Sequence, residues 1–271
     1  MNNSNFEKFL YIHKGLQPVT VNGHLKTIER ITRNLGEIDK ESADNFILSL
    51  YQSKYSWSYK VSQAKALEYW FEFNGESIRY ARQRKPKPII KTTLSEAEIT
   101  RLLFCCKNIR EKAIIAVLAY SGLRPKELTN LKYGDIDFGS NEIRVIQGKG
   151  CKDGVIYVSA SCIRILLEYL QSFPKQSDDL MFKTFDGLRP FKTSCQNKLV
   201  SVLAKRAHIN KRVYPYLLRH SLATSMFNRG ADILTVKSQL RHAWLETTEL
   251  YIHSLGYSPK NKYEQFVPSY I

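Results

Sequence analysis

The 271-residue chain has no CxxC pair among its five cysteines, Cys105, Cys106, Cys151, Cys162 and Cys195, and their number is odd. That argues against a disulfide framework and predicts free thiols in a reducing compartment. No apolar run approaches the length of a membrane span, and the N-terminal stretch MNNSNFEKFL lacks the apolar centre of a signal peptide. The expectation is a soluble, cytoplasmic protein. Internal repeats and low-complexity tracts are missing. So are a phosphate-cradling Walker loop and a tight Asp/Glu cluster, and no metal or other cofactor is expected.

Negative charge is scarce: 25 Asp/Glu face 41 Lys/Arg, for a formal charge of +16. Such an excess favours a polyanionic partner, nucleic acid first and an anionic membrane surface second. It is not confined to a tail. Residues 1–91 hold 15 Lys/Arg against 9 Asp/Glu, and the remaining residues hold 26 against 16. Two basic halves suggest one ligand touched by both, with an affinity that falls steeply as salt rises. An apolar fraction of 43% is ample for real cores, so the chain is not a disordered polyelectrolyte.

The hydrophobic pattern divides the chain. Val21, Leu25, Ile28, Ile31 and Leu35 recur at helical steps, as do Ala43, Phe46, Ile47 and Leu50. An aromatic segment follows near 57–73, and a short helix is expected around Phe6–Ile12. This predicts a bundle of about four helices over residues 1–80, with no strand. Residues 79–91, RYARQRKPKPIIK, alternate prolines with bases and read as an extended basic linker, set at 81–91. Its Arg82, Arg84, Lys85 and Lys87 are candidate contacts to a phosphate backbone.

The second domain, 92–271, opens on a capping box, Ser95 with Glu98. A strongly apolar helix, KAIIAVLAYSGL, ends near Gly122. Over 142–158 the period changes to two β-branched runs around a Gly-rich basic turn, which predicts a hairpin. Helices resume at about 160–171, 193–207, 216–229 and 232–240, giving a mainly α domain with a small antiparallel β-sheet.

Several polar residues in this domain admit two readings. Arg124 lies between Gly122 and Pro125, at a helix–helix corner, where it is either a surface residue or a ligand group that Glu127 orients one turn on. Lys149 stands between two glycines at the hairpin tip, QGKGCKDG, as solvent decoration or as an ammonium with reach; Lys152 is beside it. His242 reads by itself as a packed core histidine. Tyr251, in RHAWLETTELYIH, is either a packing residue with a satisfied hydroxyl or a nucleophile.

Taken in order, SGLRPKEL, GKG, LLRHSLAT, GAD and LRHAWLETTELYIH resemble the boxes of the tyrosine recombinase (phage integrase) family, its Xer branch in particular. The resemblance covers essentially the whole chain. It implies a two-domain, C-shaped DNA clamp: a helical, SAM-like core-binding domain (1–80) and a catalytic domain (92–271). It implies Arg124 and Arg219 as phosphate-binding arginines, Lys149 as the hairpin lysine, His242 at the histidine position of the late box, and Tyr251 as nucleophile. One position departs. Tyr216, three residues before Arg219, stands where the family usually has His or Lys. A tyrosine, with an ordinary pKa of about 10, is a poor base at neutral pH.

The implied reaction is site-specific cleavage and rejoining of double-stranded DNA through a covalent 3′-phosphotyrosine, serving integration, excision or dimer resolution. Guanidiniums offer paired planar donors to the non-bridging oxygens and stay charged, so Mg²⁺ is not needed for the chemistry. The ester conserves bond energy, and resealing needs no ATP. The resemblance further implies a homo-oligomer, a tetramer on paired sites, with which a monomer in free solution is compatible, and a nucleoid-associated location. Tyr263–Ile271 is a candidate for burial in a neighbouring protomer, or else a frayed tail. The alternatives are a catalytically weakened DNA-binding relative and a type IB topoisomerase-like relaxing enzyme.

Overall fold

The structure is a computed structural model that describes residues 3–84, 86, 92–146, 153–184 and 186–241. It separates into two compact units, Met1–Pro88 and Ile89–Ile271. Among the described residues, no helix is long and apolar enough to cross a membrane.

The first unit contains α1 (Asn3–Ile12), α2 (Pro18–Leu35), α3 (Lys40–Gln52) and α4 (Trp57–Phe73). Local signals start its helices. Pro18 occupies the first turn of α2, where a missing N–H costs nothing. Asp39 and Ser42 cap α3 reciprocally. Phe6, Leu10, Ile28, Ile31, Leu67 and Phe71 form the core. The aromatic segment splits by function: Trp70 meets Phe6 edge-on at 5.1 Å, whereas the Trp57 indole donates to the Gln83 carbonyl at 2.7 Å. The chain after α4 therefore returns along the bundle. Buried Glu68 accepts from the Tyr80 N–H at 3.0 Å and from Arg82 Nη2 at 2.9 Å, and the Tyr51 hydroxyl donates to the Ala81 carbonyl.

The second unit comprises α5 (Glu96–Phe104), α6 (Ile109–Tyr120), α7 (Pro125–Asn130), β1 (Ile136–Asp137), β2 (Glu142–Val145), β3 (Gly154–Tyr157), α8 (Ala160–Ser172), α9 (Thr193–Arg206), α10 (Pro215–Asn228) and α11 (Ile233–Leu240). The capping box at Ser95 and Glu98 is formed. In α6, every residue from Ala113 to Ala119 is buried, as expected of a helix apolar on all sides. The sheet is antiparallel in the order β1-β2-β3, with Ile143 opposite both Ile136 and Ile156. Two of these strands are the predicted hairpin. The third, β1, has two residues and no period to read.

On α10 the buried side is Leu217, Leu218, Arg219, Ser221 and Ala223. Leu222, Met226 and Phe227 are half-buried. Met226 and Phe227 instead support a small separate cluster of Ala223, Val236 and Leu240 that joins α10 to α11.

Candidate active site

The C-terminus of α6 sets the geometry. Ser121, fully buried, turns its hydroxyl back to the Val117 carbonyl and accepts the Leu123 N–H at 3.1 Å. Gly122 follows with φ +71°, and a Cβ there would lie 2.8 Å from Leu240 Cδ2. Only glycine combines that backbone with that close approach. The chain reverses here and delivers Arg124 as the residue that begins α7.

Arg124 is tied down at both ends. Glu127 accepts from its backbone N–H at 2.7 Å and from Nη1 at 2.8 Å, so the orienting role open to Glu127 is realised. Nη2 donates to the Arg241 carbonyl at 3.1 Å. Beneath them, the Gln196 amide, fully buried on α9, donates to the carbonyls of Pro125 (2.8 Å) and Phe191 (3.1 Å). This pins the first turn of α7.

Arg219 reaches the same corner from α10. It is 3% exposed. Its Nη1 donates to the Gly122 carbonyl and its Nη2 to the Leu240 carbonyl. Leu240 and Arg241 close α11, where helix carbonyls lack intrahelical partners and carry partial negative charge. The two guanidiniums answer those carbonyls. Repulsion between them is offset by a helix end and by one carboxylate.

Two contributors had not been singled out in the sequence. Arg241 caps α11 in the left-handed region at φ +50°, a conformation costing a non-glycine residue on the order of 1 kcal/mol. Its guanidinium is bonded to Glu127 Oε2 at 2.6 Å, so one carboxylate holds two arginines. Burial lowers the Arg241 pKa, the Glu127 charge opposes that shift, and the Arg124 charge adds to it. Gln239 donates to the carbonyls of Ser121 (3.0 Å) and Tyr157 (2.8 Å) and accepts the Tyr157 N–H at 3.1 Å. It thereby fastens the free edge of β3 to the α6 turn. Nothing in the residue pattern marks either role, because both depend on where α11 ends relative to distant segments.

The structure thus brings Arg124 and Arg219 together. Tyr216 lies on the first turn of α10 and is 46% exposed. Arg82 is held to Glu68 in the first unit and Arg84 is exposed. Lys85, Lys87, Lys149, Lys152, His242, Tyr251 and Tyr263–Ile271 lie outside the described residues.

Residues 92–256 match the phage integrase family. The chain belongs to that family. It is 32% identical to tyrosine recombinase XerA of Thermococcus onnurineus (strain NA1), over 91% of this chain and 88% of that one. The crystal structure of XerA recombinase superposes with a TM-score of 0.57 at 27% identity, covering 99% of this chain and 98% of the other. XerH site-specific recombinase, in a post-cleavage complex with palindromic difH substrate, gives 0.69 at 21% identity over 97% and 84%, a likeness of fold alone. Both the resemblance read from the boxes and the mainly helical fold with its small antiparallel sheet are borne out. As a phage integrase family member with Xer relatives, this chain is a site-specific DNA recombinase.

Proposed function

We propose that the corner formed by α6, α7, α10 and α11 receives the scissile phosphodiester, with Arg124 and Arg219 on its non-bridging oxygens. The observation that carries this reading is the convergence of the two arginines on Gly122, Leu240 and Arg241, each with its guanidinium held by main-chain acceptors. Donors fixed before the reaction stabilise charge that builds on the five-coordinate phosphorus without reorganising. The Tyr251 phenol gives up its proton to water as its Oη attacks phosphorus in line, the P–O5′ bond breaks, and the leaving oxygen takes a proton from Lys149. The products are a 3′-phosphotyrosine and a free 5′-hydroxyl. Attack by that hydroxyl, or by one from a second duplex, reverses the step and reseals or exchanges the strand. His242 adds a donor to the phosphate, and Tyr216, a poor base at neutral pH, gives a hydrogen bond rather than taking the phenolic proton.

Both basic units engage the DNA, with Arg82, Arg84, Lys85 and Lys87, and Lys152 of the hairpin tip, on phosphates. Such contacts position the protein and carry no base sequence. Recombination between two duplexes then calls for a tetramer, as the family resemblance implies.

A nicked suicide substrate tests this. Tyr251→Phe is expected to abolish the covalent adduct and to leave duplex affinity within a few-fold, and wild-type cleavage is expected to persist in EDTA. A full adduct yield from the variant reassigns the nucleophile, and strong inhibition by EDTA brings a metal into the chemistry.

A further inference from the structure

We infer that Arg241 is a positioning residue for strand cleavage, one that lets Glu127 orient Arg124 without cancelling the positive charge the phosphate needs. The inference rests on the reading of Arg124 as a phosphate ligand. A carboxylate beside a phosphate-binding arginine has two opposed effects. It fixes the guanidinium, and it repels the incoming anion. Here the second oxygen of Glu127 is taken by Arg241 at 2.6 Å while the first holds Arg124 at 2.8 Å. Among the described residues, the corner then holds the guanidiniums of Arg124, Arg219 and Arg241 with the one carboxylate of Glu127, and it keeps a formal excess of positive charge.

The backbone supports the assignment. At φ +50°, glycine would fit position 241 with less strain, so the turn itself does not call for an arginine. That side chain is only 12% exposed, and its charge is matched by Glu127. Space is also kept for it: a Cβ on Gly154 of β3 would stand 2.9 Å from Arg241 Cδ. The Arg241 carbonyl meanwhile takes Arg124 Nη2. One residue therefore places Arg124 through its main chain and tunes Arg124's partner through its side chain.

The test is single-turnover cleavage of the suicide substrate, with duplex affinity and Tm measured in parallel. Arg241→Gly keeps the carbonyl and relaxes the turn. We expect it to fold, to bind duplex within about threefold of wild type, and to cleave roughly 100-fold more slowly, the lower end of the range seen when one preorganised donor is lost. Adding Glu127→Gln removes the uncompensated carboxylate and is expected to recover several-fold of that rate. A role confined to packing would let cleavage follow Tm and leave Glu127→Gln without benefit. Gly154→Ala serves as a second variant: it should slow cleavage in the wild-type background and add little to Arg241→Gly. Wild-type cleavage by Arg241→Gly, or a double variant no faster than the single, overturns the inference. Arg124→Ala on the same substrate separates the two claims. If it is inactive while Arg241→Gly is normal, only this inference fails; if it too cleaves normally, the reading of Arg124 fails as well.

Discussion

Arg219 sits buried on α10 with both terminal nitrogens given to main-chain carbonyls, whereas Arg82, beyond α4 in the other unit, is exposed and rests on Glu68 and the Tyr80 carbonyl. The same side chain is used for two physical tasks. At the α10 corner, desolvation makes each donor strong and its position fixed before any ligand arrives, which is what stabilising a short-lived charge distribution requires. Along the α4 tail, water screens the charge and an anion must share the guanidinium with an existing partner. Such a residue contributes to affinity through counterion release and little to rate.

The comparison is broken most directly at the buried end. Arg219→Lys keeps the charge and loses the planar fork. Single-turnover cleavage is expected to fall by about a hundredfold or more, while duplex affinity in a gel-shift titration changes only a few-fold. Near-normal cleavage would mean that charge alone suffices and that the fixed geometry is incidental. Gln196→Ala asks how much of the corner's order comes from its support. Two buried carbonyls lose one donor each, with the Thr129 hydroxyl still in reach of both, and denaturant unfolding should show a loss of about 1–3 kcal/mol, with cleavage preserved at temperatures where the variant is folded. At the exposed end, Arg82→Ala is expected to weaken duplex binding two- to threefold and to reduce the slope of log affinity against log salt by about one or less. A collapse of the cleavage rate with unchanged affinity would place Arg82 in the reaction and erase the distinction. Tyr216→His is the mildest change. On a half-exposed first turn it should leave stability within about 0.5 kcal/mol and keep or raise cleavage, and a large loss would give the phenol a role of its own.

Element by element, the legible parts were those governed by local rules. α5 starts where its Ser95–Glu98 capping box stands, because a helix end is satisfied by its nearest neighbours. From Ala113 to Ala119 the α6 segment is apolar throughout, so its central burial followed from composition alone. Gly122, Arg124, Pro125 and Glu127 could be read as a corner for the same reason. β1 could not be read, since a two-residue strand exists only through its partner. Nor could the buried face of α10, where Arg219 lies among apolar residues and a serine because carbonyls from two distant segments await it.

The sequence by itself determined the element order, the basic character of both units, the order of the boxes and the pairing of Arg124 with Glu127 across one helical turn, since each depends on residues close in the chain. Tertiary structure alone decided that the end of α11 meets the turn after α6, that Gln239 completes the edge of β3, and that Arg241 shares a carboxylate 114 positions earlier in the chain. Such contacts are fixed by the packing of α6 with α10 and of α10 with α11, and a buried charge finds its partner only after that packing exists.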